Sequence, residues 1–88
     1  MSWDCRLSRL ASKQFRRLPR DRQAQLGDAF GEMSANPMTG DVQPIKSGKF
    51  KGAFRRRIGH YRLFFSVDME NCLVKVAAIL YRGENTYN

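Results

Sequence analysis

No acidic residue lies between Asp41 and Asp68, yet Lys46, Lys49, Lys51, Arg55, Arg56, Arg57 and Arg62 all fall in that interval. Cations at this density repel one another, so a fold that gathers them is expected to present them to an external polyanion. The residues around them have strand character. Phe54 to Ile58 (FRRRI) and Tyr61 to Val67 (YRLFFSV) are short runs rich in aromatic and branched side chains, separated by Gly59-His60. A two-residue connection that opens on glycine is the signal of a tight hairpin with a primed turn. Alternate residues of a strand share a face, which puts Arg55 and Arg57 on one side and Phe54 and Ile58 on the other. On the second strand Arg62 and Phe64 oppose Tyr61, Leu63, Phe65 and Val67. The expected hairpin has one basic face and one apolar face.

The rest of the chain supplies what such a hairpin needs behind it. Ser2 to Ser8 alternates Trp3, Cys5 and Leu7 with Asp4 and Arg6, the pattern of a first strand. Arg9 to Leu18 carries Leu10, Ala11, Phe15 and Leu18 at helical spacing, with Ser8 as cap and Pro19 as stop. A second helix runs from Arg20 to Ala35, with Leu26, Ala29, Phe30 and Met33 as its apolar stripe and Asp21 near its positive end. Gly27 and Gly31 weaken that helix and suggest a close approach to a neighbour. Asn36 to Asp41 is turn chemistry, and Val42 to Gly52 reads as an irregular basic connection with some extended structure near Val42 to Ile45. Cys72 to Tyr81 is nearly continuous apolar sequence and reads as an inner strand. The order predicts an α+β fold, with two N-terminal helices packed on a small, mainly antiparallel four-stranded sheet. The first strand joins that sheet along an edge. All 88 residues read as one domain.

The formal charge of +8 points to nucleic acid or an acidic protein as partner. No apolar run is long enough to span a membrane and no signal-peptide pattern opens the chain, so the expected location is the cytoplasm. One histidine and two distant cysteines cannot assemble a zinc site, and nothing in the sequence calls for a cofactor. Cys5 and Cys72 read as reduced, buried, small hydrophobes.

Taken together, the order of these features resembles the RelE/ParE superfamily of bacterial type II toxins along nearly the whole chain. The matching features are the helices joined at Leu18-Pro19, the Asn36-Pro37 break and Ile45-Lys46-Ser47-Gly48, where the family often has leucine-lysine-glycine. They continue with the basic strand Phe54 to Ile58, the Gly59-to-Arg62 corner, and Tyr81-Arg82 followed by Tyr87. The resemblance implies a cognate antitoxin whose acidic segment covers the basic face, in a toxin–antitoxin hetero-oligomer. For the RelE-like branch it also implies cleavage of messenger RNA, usually in the ribosomal A site. Carried over by position, Arg55 and Arg57 hold the phosphate backbone, Arg62 meets the scissile phosphate, and Arg82 and Tyr87 complete the catalytic set. Tyr81 stands where a histidine is common, His60 where an aspartate or other polar residue is common, and Arg56 where many relatives have an apolar inward residue.

The residue types suit that chemistry. Arginine stays protonated and grips phosphate through two parallel donors, which fits Arg55, Arg57, Arg62 and Arg82 for charge stabilisation. Lys49 and Lys51 add to the same RNA-binding surface. Phe64 either stacks on a base or lies under the C-terminal tail. Proton transfer has two candidates. A free tyrosine titrates at about pH 10, and neighbouring arginines favour its phenolate, which suits Tyr87; His60 is the other. The plainer readings are a solvated basic strand, a turn histidine and a terminal tyrosine that only packs. Arg16, Arg17, Arg20 and Arg22 form a second basic group, either solvated helix ends or a contact for ribosomal RNA. Two further functions share the fold: a ParE-like inhibitor of DNA gyrase without ribonuclease activity, and a non-catalytic nucleic-acid-binding module.

Overall fold

The computed structural model describes residues 2–82. In chain order it contains β1 (Asp4–Leu7), α1 (Arg9–Arg16), α2 (Arg20–Ala35), β2 (Asp41–Pro44), β3 (Phe54–Ile58), β4 (Tyr61–Asp68) and β5 (Leu73–Tyr81). The strands form one sheet in the order β1-β5-β4-β3-β2. The pairs β2–β3, β3–β4 and β4–β5 are antiparallel, and β1 lies along the edge, parallel to β5. The sheet is therefore five-stranded and mixed, where the sequence suggested four strands, mainly antiparallel. The added strand is β2, in the segment expected to be irregular. It is a four-residue edge strand with Asp41, Gln43 and Pro44, the short, polar, proline-marked kind that gives little periodic signal.

Both helices lie on one face of the sheet, over a core of Ala11, Leu26, Met33, Tyr61, Leu63, Phe65, Val74, Val76 and Ile79. Ser8 caps α1 by accepting from Ala11 N at 3.0 Å. The helix ends at Arg16, two residues before the expected Leu18, and Leu10 stays half exposed outside the core. In α2, Leu26, Ala29 and Met33 are buried, while Phe30 packs its ring 5.9 Å from Phe15. Gly27 and Gly31 face open space, so the expected close approach at those two positions is absent. Cys5 and Cys72 are each half-buried, more exposed than the sequence suggested. Burial, followed by the charge of Asp4, pushes the Cys5 thiol upward and keeps it protonated at neutral pH.

Arg56 occupies a core-facing position between Phe54 and Ile58, with only 7% of its surface exposed. Its Nη2 donates to Glu32 Oε1 on α2, and its Nη1 donates to Ala29 O at 3.4 Å. A Cβ on Gly40 would sit 2.9 Å from Arg56 Nε, so the glycine leaves room for the guanidinium. The middle arginine of the triplet thus ties the sheet to the end of α2 and contributes nothing to the basic face.

A bulge in β5 has wider effects. Phe64 pairs with Ala78 but Phe65 pairs with Val76, which leaves Ala77 as the extra residue. α1 holds the bulge from both sides: Ser8 Oγ donates to Ala77 O at 2.8 Å, and Ile79 N donates to Gln14 Oε1 at 2.7 Å. Before the bulge, Val74 and Val76 face the helices. After it, Ile79 does so, and Ala78 and Leu80 turn to the opposite, open face with Phe64 and Arg62.

Candidate functional site

The open face consists of rows that cross the strands. One row runs Asp41, Arg57, Arg62, Leu80, and the next runs Gln43, Arg55, Phe64, Ala78. The hairpin turn has φ of +57° at Gly59 and no positive φ at His60, the pattern of a type II′ turn. This tight connection fixes the register that sets Arg57 directly opposite Arg62. Directly opposed like charges destabilise a sheet, and Asp41 offsets part of that by standing 3.9 Å from Arg57 Nε. The Arg62 guanidinium is pushed below its ordinary value, first by burial and then by the charges of Arg82, Arg55 and Arg57, against an opposing pull from Asp41. Four arginines therefore share one electrostatic neighbourhood. An arriving phosphate relieves their mutual repulsion.

Arg82 enters this group because of the bulge. In an unbroken strand it would share a face with Val74 and Val76, the core side. One extra residue moves it to the side of Arg62. Its backbone N donates to His60 O at 2.6 Å, which fixes the end of β5 against the hairpin turn. His60 itself is exposed, with its ring 6.3 Å from that of Tyr81. Tyr81 packs 5.2 Å from the buried Tyr61. Tyr87 lies outside the described residues.

Lys49 and Lys51 are exposed on the loop between β2 and β3. That loop is pinned by Ile45 N to Ala53 O at 2.9 Å, Gly52 N to Ile45 O at 3.1 Å and Ala53 N to Phe50 O at 3.0 Å. It delivers Phe50, which the sequence reading did not single out, to an edge-on contact 4.9 Å from Phe64. Lys49 Nζ stands 5.8 Å from the centre of the Phe50 ring. Arg55 Nη1 is buried without a hydrogen-bond partner among the described residues. No periodicity marks Phe50, because it reaches the sheet from a loop. Arg16, Arg17 and Arg20 are exposed at the end of α1 and the start of α2, on elements that pack against the other face of the sheet. Among the described residues, no three His, Cys, Asp or Glu side chains stand together as a metal site, and no helix is long and apolar enough to cross a membrane.

This fold is shared with toxins of type II toxin–antitoxin systems. The chain is similar to a chain of the RelBE2 toxin–antitoxin complex from Mycobacterium tuberculosis, at TM-score 0.80 and 26% identity over 93% of this chain and 100% of that one. It also matches the RelE–RelB complex of Pyrococcus horikoshii, at TM-score 0.78 and 20% identity over 96% and 99% of the two chains. The isolated Escherichia coli RelE toxin superposes with TM-score 0.77 at 17% identity, over 97% of this chain and 89% of that one. No curated protein sequence matches the chain. The profile of the ParE toxin of type II toxin–antitoxin systems matches residues 5–86, and the chain belongs to that family, within the RelE/ParE superfamily.

Proposed function

We propose that this toxin is an endoribonuclease that cleaves messenger RNA on its open face, in the manner of the RelE-like branch. The observation that supports this reading is the convergence of Arg55, Arg57 and Arg82 on Arg62. A purely structural sheet has no use for four cations in mutual repulsion. The reaction needs no external nucleophile. The RNA 2′-oxygen attacks the adjacent phosphorus, the bond to the 5′-oxygen breaks, and a cyclic phosphate remains on the upstream fragment. One proton leaves the 2′-hydroxyl and one reaches the departing 5′-oxygen. Arg62 stabilises the extra negative charge on the phosphate, Arg55 and Arg57 hold the flanking backbone, and Arg82 sits beside the leaving oxygen. Lys49 and Lys51 extend the track for the RNA, and Tyr87 moves the proton, with His60 as the alternative carrier.

The same exposed charge calls for an antitoxin. An acidic segment of the partner covers the basic face and blocks it, as suits a chain similar to the toxins of the RelBE2 and RelE–RelB complexes. The ribosomal A site is the proposed place of cleavage. The ParE profile favours a second reading, inhibition of DNA gyrase without cleavage of RNA. Inducing the toxin without its antitoxin, and following translation and DNA supercoiling in the same cells, separates the two. Early loss of translation with cut messenger is the expected result. Early failure of supercoiling with intact messenger overturns the ribonuclease reading.

A further inference from the structure

We infer that Phe50 and Phe64 form a stacking platform for one nucleobase of single-stranded RNA, beside the phosphate site, and that Phe50 supplies the ring on which that base rests. The inference rests on the ribonuclease reading and adds to it a base-stacking element delivered by a loop. Phe64 shares its row with Arg55, so an aromatic ring and a guanidinium stand side by side on the open face. The Phe50 ring meets it edge-on at 4.9 Å, and both residues are only half-buried. An edge-on contact covers at most one face of one ring, and both side chains keep part of their surface exposed. The loop that carries Phe50 is held by backbone hydrogen bonds at both ends, so the ring is positioned before any ligand arrives. Lys49, next to the Phe50 ring, supplies a cation that can follow a phosphate while the ring takes the base. Arg55, directly opposite Phe64, sets a second cation beside the ring pair. Apolar rings flanked by two cations match a nucleotide better than a solvated loop.

The test is binding of a fluorescein-labelled RNA hexamer, blocked against cleavage by 2′-O-methyl groups, and of matched hexamers with one abasic position scanned along it. Stacking of one base on an aromatic is worth roughly a 5- to 150-fold difference in affinity. The wild-type toxin is expected to lose affinity by a factor in that range at one abasic position. Phe50→Leu is expected to bind the intact hexamer as weakly as the wild type binds that abasic one, and to be indifferent to the missing base. Phe50→Trp is expected to restore the discrimination. A wild type that binds RNA and ignores every abasic substitution overturns this inference and leaves the ribonuclease reading standing. A wild type that binds no RNA overturns both. If Phe50→Leu weakens only the complex with the antitoxin, the pair is a protein contact and the inference fails.

Discussion

Replacing Arg62 by alanine removes a guanidinium that faces Arg57 across the hairpin and feels Arg82 and Arg55 beyond it. If that group stabilises the transition state, Arg62→Ala lowers single-turnover cleavage by about a hundredfold or more, as loss of a preorganised donor does, while RNA binding weakens far less. Lysine restores part of the rate, because it lacks the planar fork. Cleavage at the wild-type rate would make Arg62 a structural residue of the hairpin. Tyr87→Phe keeps the ring and removes only the hydroxyl. It is expected to preserve thermal stability and antitoxin binding and to slow cleavage by about a hundredfold or more, within the range of a lost general acid or base. Unchanged cleavage by the folded variant would pass the role to His60. At this scale the sequence shows the open face well: strand alternation alone puts Arg55, Arg57, Arg62 and Phe64 together. It shows Arg56 poorly. Alternation puts it on the face of Phe54 and Ile58, but nothing local names what meets its charge there: the partner, Glu32, lies twenty-four residues upstream.

The elements differ in how much of them can be read. β3 and α2 have the expected bounds, since a hairpin glycine, a proline and a helical stripe mark their ends. β2 lacks such marks. The bulge in β5 is invisible for another reason: Val74, Val76, Ala77, Ala78 and Ile79 are all apolar, so no alternation exists for an extra residue to break. Its support by α1 is testable. Gln14→Ala leaves the Ile79 N–H of the bulge without its acceptor, and is expected to lower stability by about 1–3 kcal/mol in urea unfolding. Cleavage by the folded variant is expected to fall as well, because the bulge aims Arg82. The turn after β4 carries a pH signature. Asp68 accepts from Asn71 Nδ2 at 2.9 Å and from Asn71 N at 3.2 Å, and these bonds, the side-chain one first, hold its carboxyl below the ordinary aspartate value. A depressed carboxylate stabilises the fold above its unfolded pKa of about 3.9 and stops doing so as pH falls through the lower folded value. Asn71→Ala is therefore expected to be less stable than wild type at neutral pH, with the gap narrowing below about pH 4, as urea titrations at several pH values would show.

Over the whole molecule, charge and core lie on opposite sides of one sheet. Binding of single-stranded RNA is accordingly expected to weaken with salt, with log affinity falling by about 0.7 per neutralised phosphate for each unit of log salt. Arg55→Ala and Arg57→Ala each reduce that slope by roughly one contact, whereas an unchanged slope in both places the RNA elsewhere. The edge pairing of β1 with β5 also imposes an order in time. Residues 4–7 are made well before their partners, residues 73–76. At a synthesis rate of about 5–20 residues per second, roughly 3–14 s separate the two. Until then β4 lacks the neighbour that carries Arg82, and the helices have only part of a sheet to rest on. A toxin assembled in this sequence is born without its full basic face. If that face is the one that does harm, harm waits for the late strand, and an antitoxin at hand when the strand closes meets it before any target does.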